Sequence, residues 1–310
     1  MFGYYLLRGL TWLIYAMPLS ILYFFSDFIF TIFFHLIRYR RGVVDQNLAN
    51  SFPGKTKTER YQIAAKFYHH LCDCFLETFY FDRITSEEVK KRVKFLNPEL
   101  ANDYMDQGKS VIILMGHYNN WECFNNWGLH TNHRSYAIYK KLRNKAFEKF
   151  YIHLRSRFGS FPLERALTFR QLMEDANAGI PGLSLFLIDQ SPRVYDIQYW
   201  TTFLNQETAI IVGPEKVACK VNAAVLFGNT RKTKRGFYEV EFVLITDHAK
   251  QCPKFEITEK STRLLEKLIV ENPEYWLWSH RKWKYDRSEI EKTANPCIRH
   301  DYKTPTEQGK

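Results

Sequence analysis

A histidine and an acid five residues apart, His117 and Glu122, are the pair in this sequence best suited to chemistry. A histidine can accept a proton from a hydroxyl near neutral pH, and a carboxylate can fix its tautomer and stabilise the imidazolium that forms. On a single helix the two side chains would point roughly 140° apart and could not meet. With His117 in a turn and Glu122 in the first turns of the following helix, they can converge. The pair therefore predicts a general base that activates a hydroxyl.

The position of His117 supports this prediction, although the spacing alone would equally suit a capping or hydrogen-bonded structural histidine. Residues 110–115 are a continuous apolar run rich in β-branched side chains, which is typical of a strand buried on both faces. Gly116 permits a tight turn after it, and a helix should follow to about Leu129. Ligands in open α/β sheets bind at the carboxyl ends of strands, where His117 would lie.

Further apolar runs and helical patterns alternate along the chain. The predicted strands are residues 183–188, 223–227 and 238–244, and the predicted helices are 61–80, one from about 85, 144–158, 168–178, 214–221 and 258–271. This alternation predicts an α/β fold with a mixed, mainly parallel sheet flanked by helices. The predicted organisation is an anchoring helix in residues 1–41, a folded domain in 42–290 and a loose tail in 291–310.

The N-terminal segment predicts attachment to a membrane. Residues 10–37 are almost wholly apolar, with Asp27 as their only charge, and about 20 helical residues suffice to span a bilayer. Arg38, Arg40 and Arg41 follow at once, so the positive-inside rule keeps the rest of the chain in the cytoplasm. Pro18 and the Ser26-Asp27 pair could instead break the segment so that it dips into one leaflet. A core helix is the remaining alternative.

Charge and cysteine usage narrow the class of protein. Lysine and arginine number 44 against 33 acidic residues, a net charge of +11 that suits anionic lipid, nucleic acid or phosphorylated substrates. Apart from the flank of the apolar segment and a loop at 232–235, the basic residues are dispersed, which disfavours nucleic acid. The six cysteines include no CxxC pair, and the paired histidines lack acidic or thiol neighbours at metal spacing, so we expect no metal site.

Landmarks spread along the chain resemble the bacterial lipid A biosynthesis acyltransferases, within the lysophospholipid acyltransferase superfamily that has an HX4(D/E) motif. The resemblance covers roughly residues 5–287. In order, the landmarks are Asn47-Leu48, Ser51-Phe52-Pro53 and Glu59-Arg60; the motif from Gly116-His117 to Glu122; Arg157, Leu163-Glu164-Arg165 and Leu187-Ile188-Asp189-Gln190; and residues 272–284, which are similar to the family's P-E-Q-W-x-W-x-H-R-R-W-K.

The resemblance implies acyl transfer from acyl carrier protein or acyl-CoA to a hydroxyl of an anionic lipid at the inner membrane, with no cofactor. His117 would be the base and Glu122 its partner, and backbone N–H groups after His117 could stabilise the oxyanion. Arg157 and Arg165 are candidates to hold acceptor phosphates. Asp189 could bind substrate hydroxyls or serve as a second acid near His117. The tryptophans of residues 272–284 are expected to pack, and its basic residues to contact solvent or phosphate.

Three functions remain open from the sequence. The first is acyl transfer to a lipid A precursor. The second is the same chemistry on an aminolipid, glycolipid or lysophospholipid. The third is a non-catalytic membrane-tethered protein that binds lipid or nucleic acid, which would leave the placement of His117 and Glu122 unexplained. The residues after Asp189, Gln190-Ser191-Pro192-Arg193, lack the further acid of the best-known family members, which bears on the acceptor more than on the reaction.

Overall fold

The structure, a computed structural model, describes residues 2–293. The predicted tail falls mostly outside these residues; only its first three positions are described, at the end of the last helix. The α-helices, in chain order, are α1 Phe2–Ala16, α2 Leu19–Thr31, α3 Arg41–Ser51, α4 Lys57–Phe81, α5 Ser86–Arg92, α6 Glu99–Asp106, α7 Lys145–Ser156, α8 Thr168–Asn177, α9 Gly213–Val221, α10 Glu256–Glu271 and α11 Arg287–Thr293.

Of the nine strands within the described residues, seven form one mixed sheet in the order β1-β9-β8-β2-β5-β3-β4, in which every neighbouring pair is parallel except β8 and β9. The predicted α/β fold with a mainly parallel sheet is confirmed. The other two strands, β6 and β7, form a separate antiparallel hairpin. The strands are β1 Val93–Phe95, β2 Val111–Met115, β3 Arg134–Tyr139, β4 Phe161–Glu164, β5 Gly182–Leu187, β6 Trp200–Phe203, β7 Gln206–Ala209, β8 Ala224–Lys234 and β9 Phe237–Thr246.

Strand β2 lies at the centre of the sheet, and all five of its residues are buried, as its apolar run predicts. Its alternate side chains face opposite ways: Val111, Ile113 and Met115 pack in one hydrophobic layer, and Ile112 and Leu114 pack in the other. Helices α1 and α7 contribute to the first layer and α10 to the second. The carboxyl end of β2 therefore lies at the centre of one end of the sheet, between two packed layers.

The apolar N-terminal segment holds two helices, α1 and α2, divided at Pro18, which was one of the two places where a break was considered. The first helix, α1, ends at Ala16, and Pro18 stands directly before α2. Proline has no N–H to donate and clashes with the preceding turn, so the first helix cannot continue through it. The Ser26-Asp27 pair does not break the chain, because both residues lie inside α2.

Polar contacts fasten both of these helices to the folded domain. Arg8 of α1 pairs with the buried carboxylate of Asp82 at 2.7 Å. In α2, the Ser26 hydroxyl donates to the buried Asp73 carboxylate of α4, also at 2.7 Å. Burying such groups is favourable only when they are paired, so these contacts fix which face of each helix packs on the domain.

Helical residues Leu19–Ile37, which comprise α2 and a π-helical turn, are long and apolar enough to cross a bilayer. The most apolar stretch of this segment has a mean hydropathy of 1.8, and only 17% of it is buried. Large apolar side chains point outward from both N-terminal helices: Tyr5, Leu6, Leu10, Trp12, Leu13, Ile21, Phe24, Phe25 and Phe28. Their composition and exposure make this segment the candidate membrane anchor of the fold.

Candidate active site

The carboxyl ends of β2 and β5 bring His117 and Asp189 together. The two strands are parallel neighbours in register, with Met115 opposite Leu187. His117 and Asp189 each lie two residues beyond these positions, so the register places them side by side. The His117 Nδ1 atom lies 2.7 Å from Asp189 Oδ1.

Asp189 is buried, and three protein groups surround its carboxylate. The backbone N–H of His117 donates to Oδ2 at 2.9 Å, and the indole N–H of Trp276 donates to the same oxygen at 2.8 Å. Burial alone would raise the pKa of this carboxyl, but His117 and these hydrogen bonds hold it well below its usual range. Asp189 is therefore an anion that faces the imidazole, the position that the second of its two expected roles requires.

The ring of His117 is mostly shielded, with 12% of its side chain exposed. Burial opposes the charged imidazolium, but the charge and hydrogen bond of Asp189, followed by the charge of Glu122, raise the His117 pKa above its ordinary 6.5. The second ring nitrogen, Nε2, lies 3.4 Å from the side-chain nitrogen of Gln190. Because Nδ1 faces a carboxylate, the proton of the neutral ring resides there and Nε2 is the atom that can accept a proton.

Glu122 is not hydrogen-bonded to His117, which corrects the expected partnership. Its buried carboxylate receives both forks of the Arg155 guanidinium, Nη2 to Oε1 at 2.7 Å and Nε to Oε2 at 3.3 Å. The Asn125 amide donates to Oε2 at 2.7 Å. Burial would raise the Glu122 pKa, but Arg155 and Asn125 hold it below its usual value. Glu122 acts on His117 through its charge rather than through a hydrogen bond.

The helix after His117 has the expected extent but a different form, since Trp121–Leu129 is a 3-10 helix. Two of the nearby backbone N–H groups already have acceptors, because that of His117 donates to Asp189 and that of Asn119 donates to the Tyr275 carbonyl at 2.9 Å. Neither group is available to an oxyanion in this arrangement. A stabilising donor would come from the other N–H groups of the turn or from a side chain.

The two arginines expected to hold phosphates occupy different environments. Arg157 is half-buried, and its guanidinium donates to the backbone carbonyls of Phe81 and Ile84, so it ties α7 to the end of α4. Burial lowers its pKa. Arg165 lies just beyond β4 with its side chain exposed, and its backbone N–H donates to the Tyr139 carbonyl at 2.8 Å. The Arg157 guanidinium is thus engaged by backbone carbonyls, whereas the Arg165 side chain is exposed to solvent at the carboxyl ends of the strands.

The C-terminal run supplies a residue that the sequence did not reveal as part of this site. The tryptophans pack, as expected: Trp276 and Trp278 are both buried. Lys282, expected at the surface, is buried instead, and its ammonium donates to the carbonyls of Gln190 and Ala209 at 3.2 and 3.3 Å. Burial lowers its pKa to about 8. Lys282 thereby fixes the backbone of Gln190 directly after the site carboxylate.

One triad of possible metal ligands occurs within residues 2–293, formed by Asp27, His69 and Asp73. The guanidinium of Arg235 reaches both carboxylates at 2.6 Å. A cation already occupies the position a metal ion would need, so this cluster joins α2 to α4 and to the β8–β9 turn.

Comparison with models of known protein families gives a match to most of the chain. The family model described as bacterial lipid A biosynthesis acyltransferase matches residues 1–285, which include every element of the site. Among curated proteins, no match to this chain is found.

Proposed function

The chain belongs to the bacterial lipid A biosynthesis acyltransferase family, and from this premise we propose that it acylates a hydroxyl of a lipid A precursor with His117 as general base. Membership makes it an acyltransferase that acts on a lipid acceptor. The donor that we propose is an acyl thioester of acyl carrier protein or coenzyme A, which needs no cofactor because the thioester is already activated.

The observation that carries the proposal is the 2.7 Å contact between His117 Nδ1 and Asp189 Oδ1. It leaves Nε2 as the proton acceptor. The acceptor hydroxyl gives its proton to Nε2 while its oxygen attacks the thioester carbonyl carbon. Asp189 stabilises the imidazolium that forms. When the carbon–sulfur bond breaks, the imidazolium returns the proton to the leaving thiolate, so no covalent enzyme intermediate arises.

In this mechanism we assign Glu122 and Arg155 the role of a positioning pair. Their bidentate contact joins the first turn of the 3-10 helix after His117 to α7, and the charge of Glu122 adds to that of Asp189 in favouring the imidazolium. Gln190 supplies a side-chain amide beside Nε2, where a donor can meet the developing oxyanion. Lys282 supports Gln190 through its backbone carbonyl.

We further propose that the protein resides at the inner membrane with its catalytic domain on the cytoplasmic side. The apolar stretch Leu19–Ile37 and the exposed apolar side chains of α1 support attachment to lipid. The arginines that follow, Arg38, Arg40 and Arg41, support the cytoplasmic orientation, since positive flanking residues remain on that side. A lipid acceptor in the same leaflet would then reach the carboxyl ends of the strands without leaving the membrane.

Mass spectrometry of lipid A and total lipids from the source cells tests the acceptor. Cells with the intact gene, with the gene deleted, and with His117→Ala are compared. We expect lipid A to lose one acyl chain in both altered strains. Loss of a chain from an aminolipid, glycolipid or lysophospholipid instead would keep the reaction and replace the acceptor. If no lipid changes in either strain, the protein does not perform this acylation and a lipid-binding role takes its place.

A further inference from the structure

The loop between β3 and α7 is a basic, solvent-exposed segment beside the active site. Its cationic residues Lys140, Lys141, Arg143 and Lys145 are all exposed, and none forms an ion pair with another residue in the described part of the chain. Residues 123–147 contain no aspartate or glutamate. The segment therefore presents positive charge that no acidic residue within it balances.

Two apolar side chains project from the same segment. Leu142 is 40% exposed between the cations, and Phe147 is 37% exposed in the first turn of α7. Exposed leucine and phenylalanine among lysines and arginines characterise surfaces that lie in the interface of an anionic bilayer, where the apolar groups insert and the cations meet headgroups.

The end of this segment lies beside α1. A Cβ atom built on Gly3 would lie 3.3 Å from Cβ of Ala146, and the Lys149 ammonium lies 4.5 Å from the Tyr4 ring centre. The neighbouring α1 side chains Tyr5 and Leu6 are 61% and 65% exposed. The start of α7 thus lies against the first turn of α1, next to exposed apolar side chains of that helix.

The same loop lies at the end of the sheet that carries His117, where the parallel strands have their carboxyl ends. It follows the carboxyl end of β3, and β3 pairs with β5, after which Asp189 follows. The exposed Arg165 lies at the same end of the sheet, because its backbone N–H donates to the Tyr139 carbonyl at the end of β3. A surface that lies on lipid here would place the leaflet beside the proposed base.

We propose that residues 140–147 form a second membrane contact, separate from the N-terminal helices, which binds an anionic leaflet with Leu142 and Phe147 inserted. The inference deepens the proposed function and rests on it, because a lipid acceptor would then enter laterally at the carboxyl ends of the strands. An acidic carrier protein would also match the charge. The two apolar side chains and the contact with α1 favour lipid.

Quenching by brominated lipid measures insertion at this loop while the rest of the chain stays anchored. Leu142→Trp is compared with Val270→Trp in the full-length protein, in phosphatidylcholine vesicles with and without phosphatidylglycerol, with the signal of the unaltered protein subtracted. Val270 is 57% exposed on α10, across the sheet from α1 and α7. We expect several-fold more quenching at position 142, strongest with phosphatidylglycerol. Equal quenching at the two positions overturns the proposal.

Removal of the positive charges of the loop is the second test of its insertion. In the Leu142→Trp background, Lys140→Gln/Lys141→Gln/Arg143→Gln is expected to reduce quenching several-fold at limiting phosphatidylglycerol, to the level measured at position 270. The matched triple on α9 and the loop before α10, Lys216→Gln/Lys220→Gln/Lys250→Gln, should leave it unchanged. Equal quenching in the two triples overturns the proposal.

Acyl transfer in detergent micelles distinguishes a lipid contact from a docking site for the carrier protein. We expect the loop triple to keep full activity there, with either thioester donor. If it loses transfer from acyl carrier protein alone and keeps its quenching, the loop docks the carrier and the lipid proposal is overturned. If even the unaltered protein transfers no acyl group, the proposed function fails, while the quenching result still decides whether the loop contacts lipid.

Discussion

Replacing Asp189 with asparagine is expected to lower the rate of acyl transfer by about 10³- to 10⁴-fold while the protein stays folded. Asparagine removes the negative charge that stabilises the His117 imidazolium. Its amide can also present N–H to Nδ1, which favours the wrong tautomer of the ring. The measurement is the transfer rate of purified protein, with thermal unfolding as the check on folding. Asp196→Asn, at a half-exposed acid in the same loop, is the control and should be unchanged.

The pH dependence of acyl transfer by Asp189→Asn shows in which direction Asp189 shifts the His117 pKa. The base must be neutral to act, and Asp189 raises the His117 pKa above 6.5. In the unaltered protein kcat/KM should therefore rise with pH through a pKa above that value, with activity lost below it. In Asp189→Asn the remaining activity should rise at lower pH, because the charge that raised the pKa is gone. An unmoved acid limb, or a rate within tenfold of the original, contradicts the role of Asp189.

Glu122→Ala is expected to destabilise the protein by about 3–5 kcal/mol, because it leaves the Arg155 guanidinium, 19% exposed, without its buried partner. Denaturant unfolding measures the loss. The control Glu174→Ala removes an acid from the exposed pair with Arg170 and should change the free energy of unfolding by less than about 1 kcal/mol. The double variant Glu122→Gln/Arg155→Met, which removes both charges, should recover much of the stability.

Substitution of Glu122 also shows which of the two carboxylates near His117 controls the pKa of the base. Since the Glu122 carboxylate reaches the imidazole only through its charge, Glu122→Gln should move the acid limb of kcat/KM less than Asp189→Asn does. A larger shift in Glu122→Gln would mean that Glu122, rather than Asp189, is the carboxylate that controls the base. A loss of less than about 1 kcal/mol in Glu122→Ala would show that the pair with Arg155 does not hold this turn together.

The elements that carry the site were largely predictable from hydrophobic pattern. Strand β2 and strand β5 were both expected from apolar runs, and the capping residue Thr85 marks the start of α5, whereas α4 begins at Lys57, before its predicted start at residue 61. Strand β4 was missed because it holds only four residues and includes Pro162, which is tolerated there because β4 is an edge strand.

The position of Asp189 near His117 was one of two possibilities from the sequence, and the sequence could not choose between them. The pairing depends on β5 lying beside β2, which follows from tertiary packing between segments 72 residues apart. Spacing along the chain instead favoured Glu122, whose true partner Arg155 lies 33 residues away on α7. Lysine side chains are usually exposed, so the sequence favoured a surface position for Lys282. Only the surrounding carbonyls explain its buried ammonium.

The most direct test of the central claim is the rate at which purified His117→Ala protein transfers a labelled acyl group from its thioester to the lipid acceptor. His133→Ala, a histidine paired with Asp106 at the opposite end of β3, is the matched control. We predict that His117→Ala loses at least about 10³-fold in rate with unchanged thermal unfolding, whereas His133→Ala keeps its activity. A folded His117→Ala protein that transfers the acyl group within tenfold of the original rate would contradict the assignment of His117 as the base.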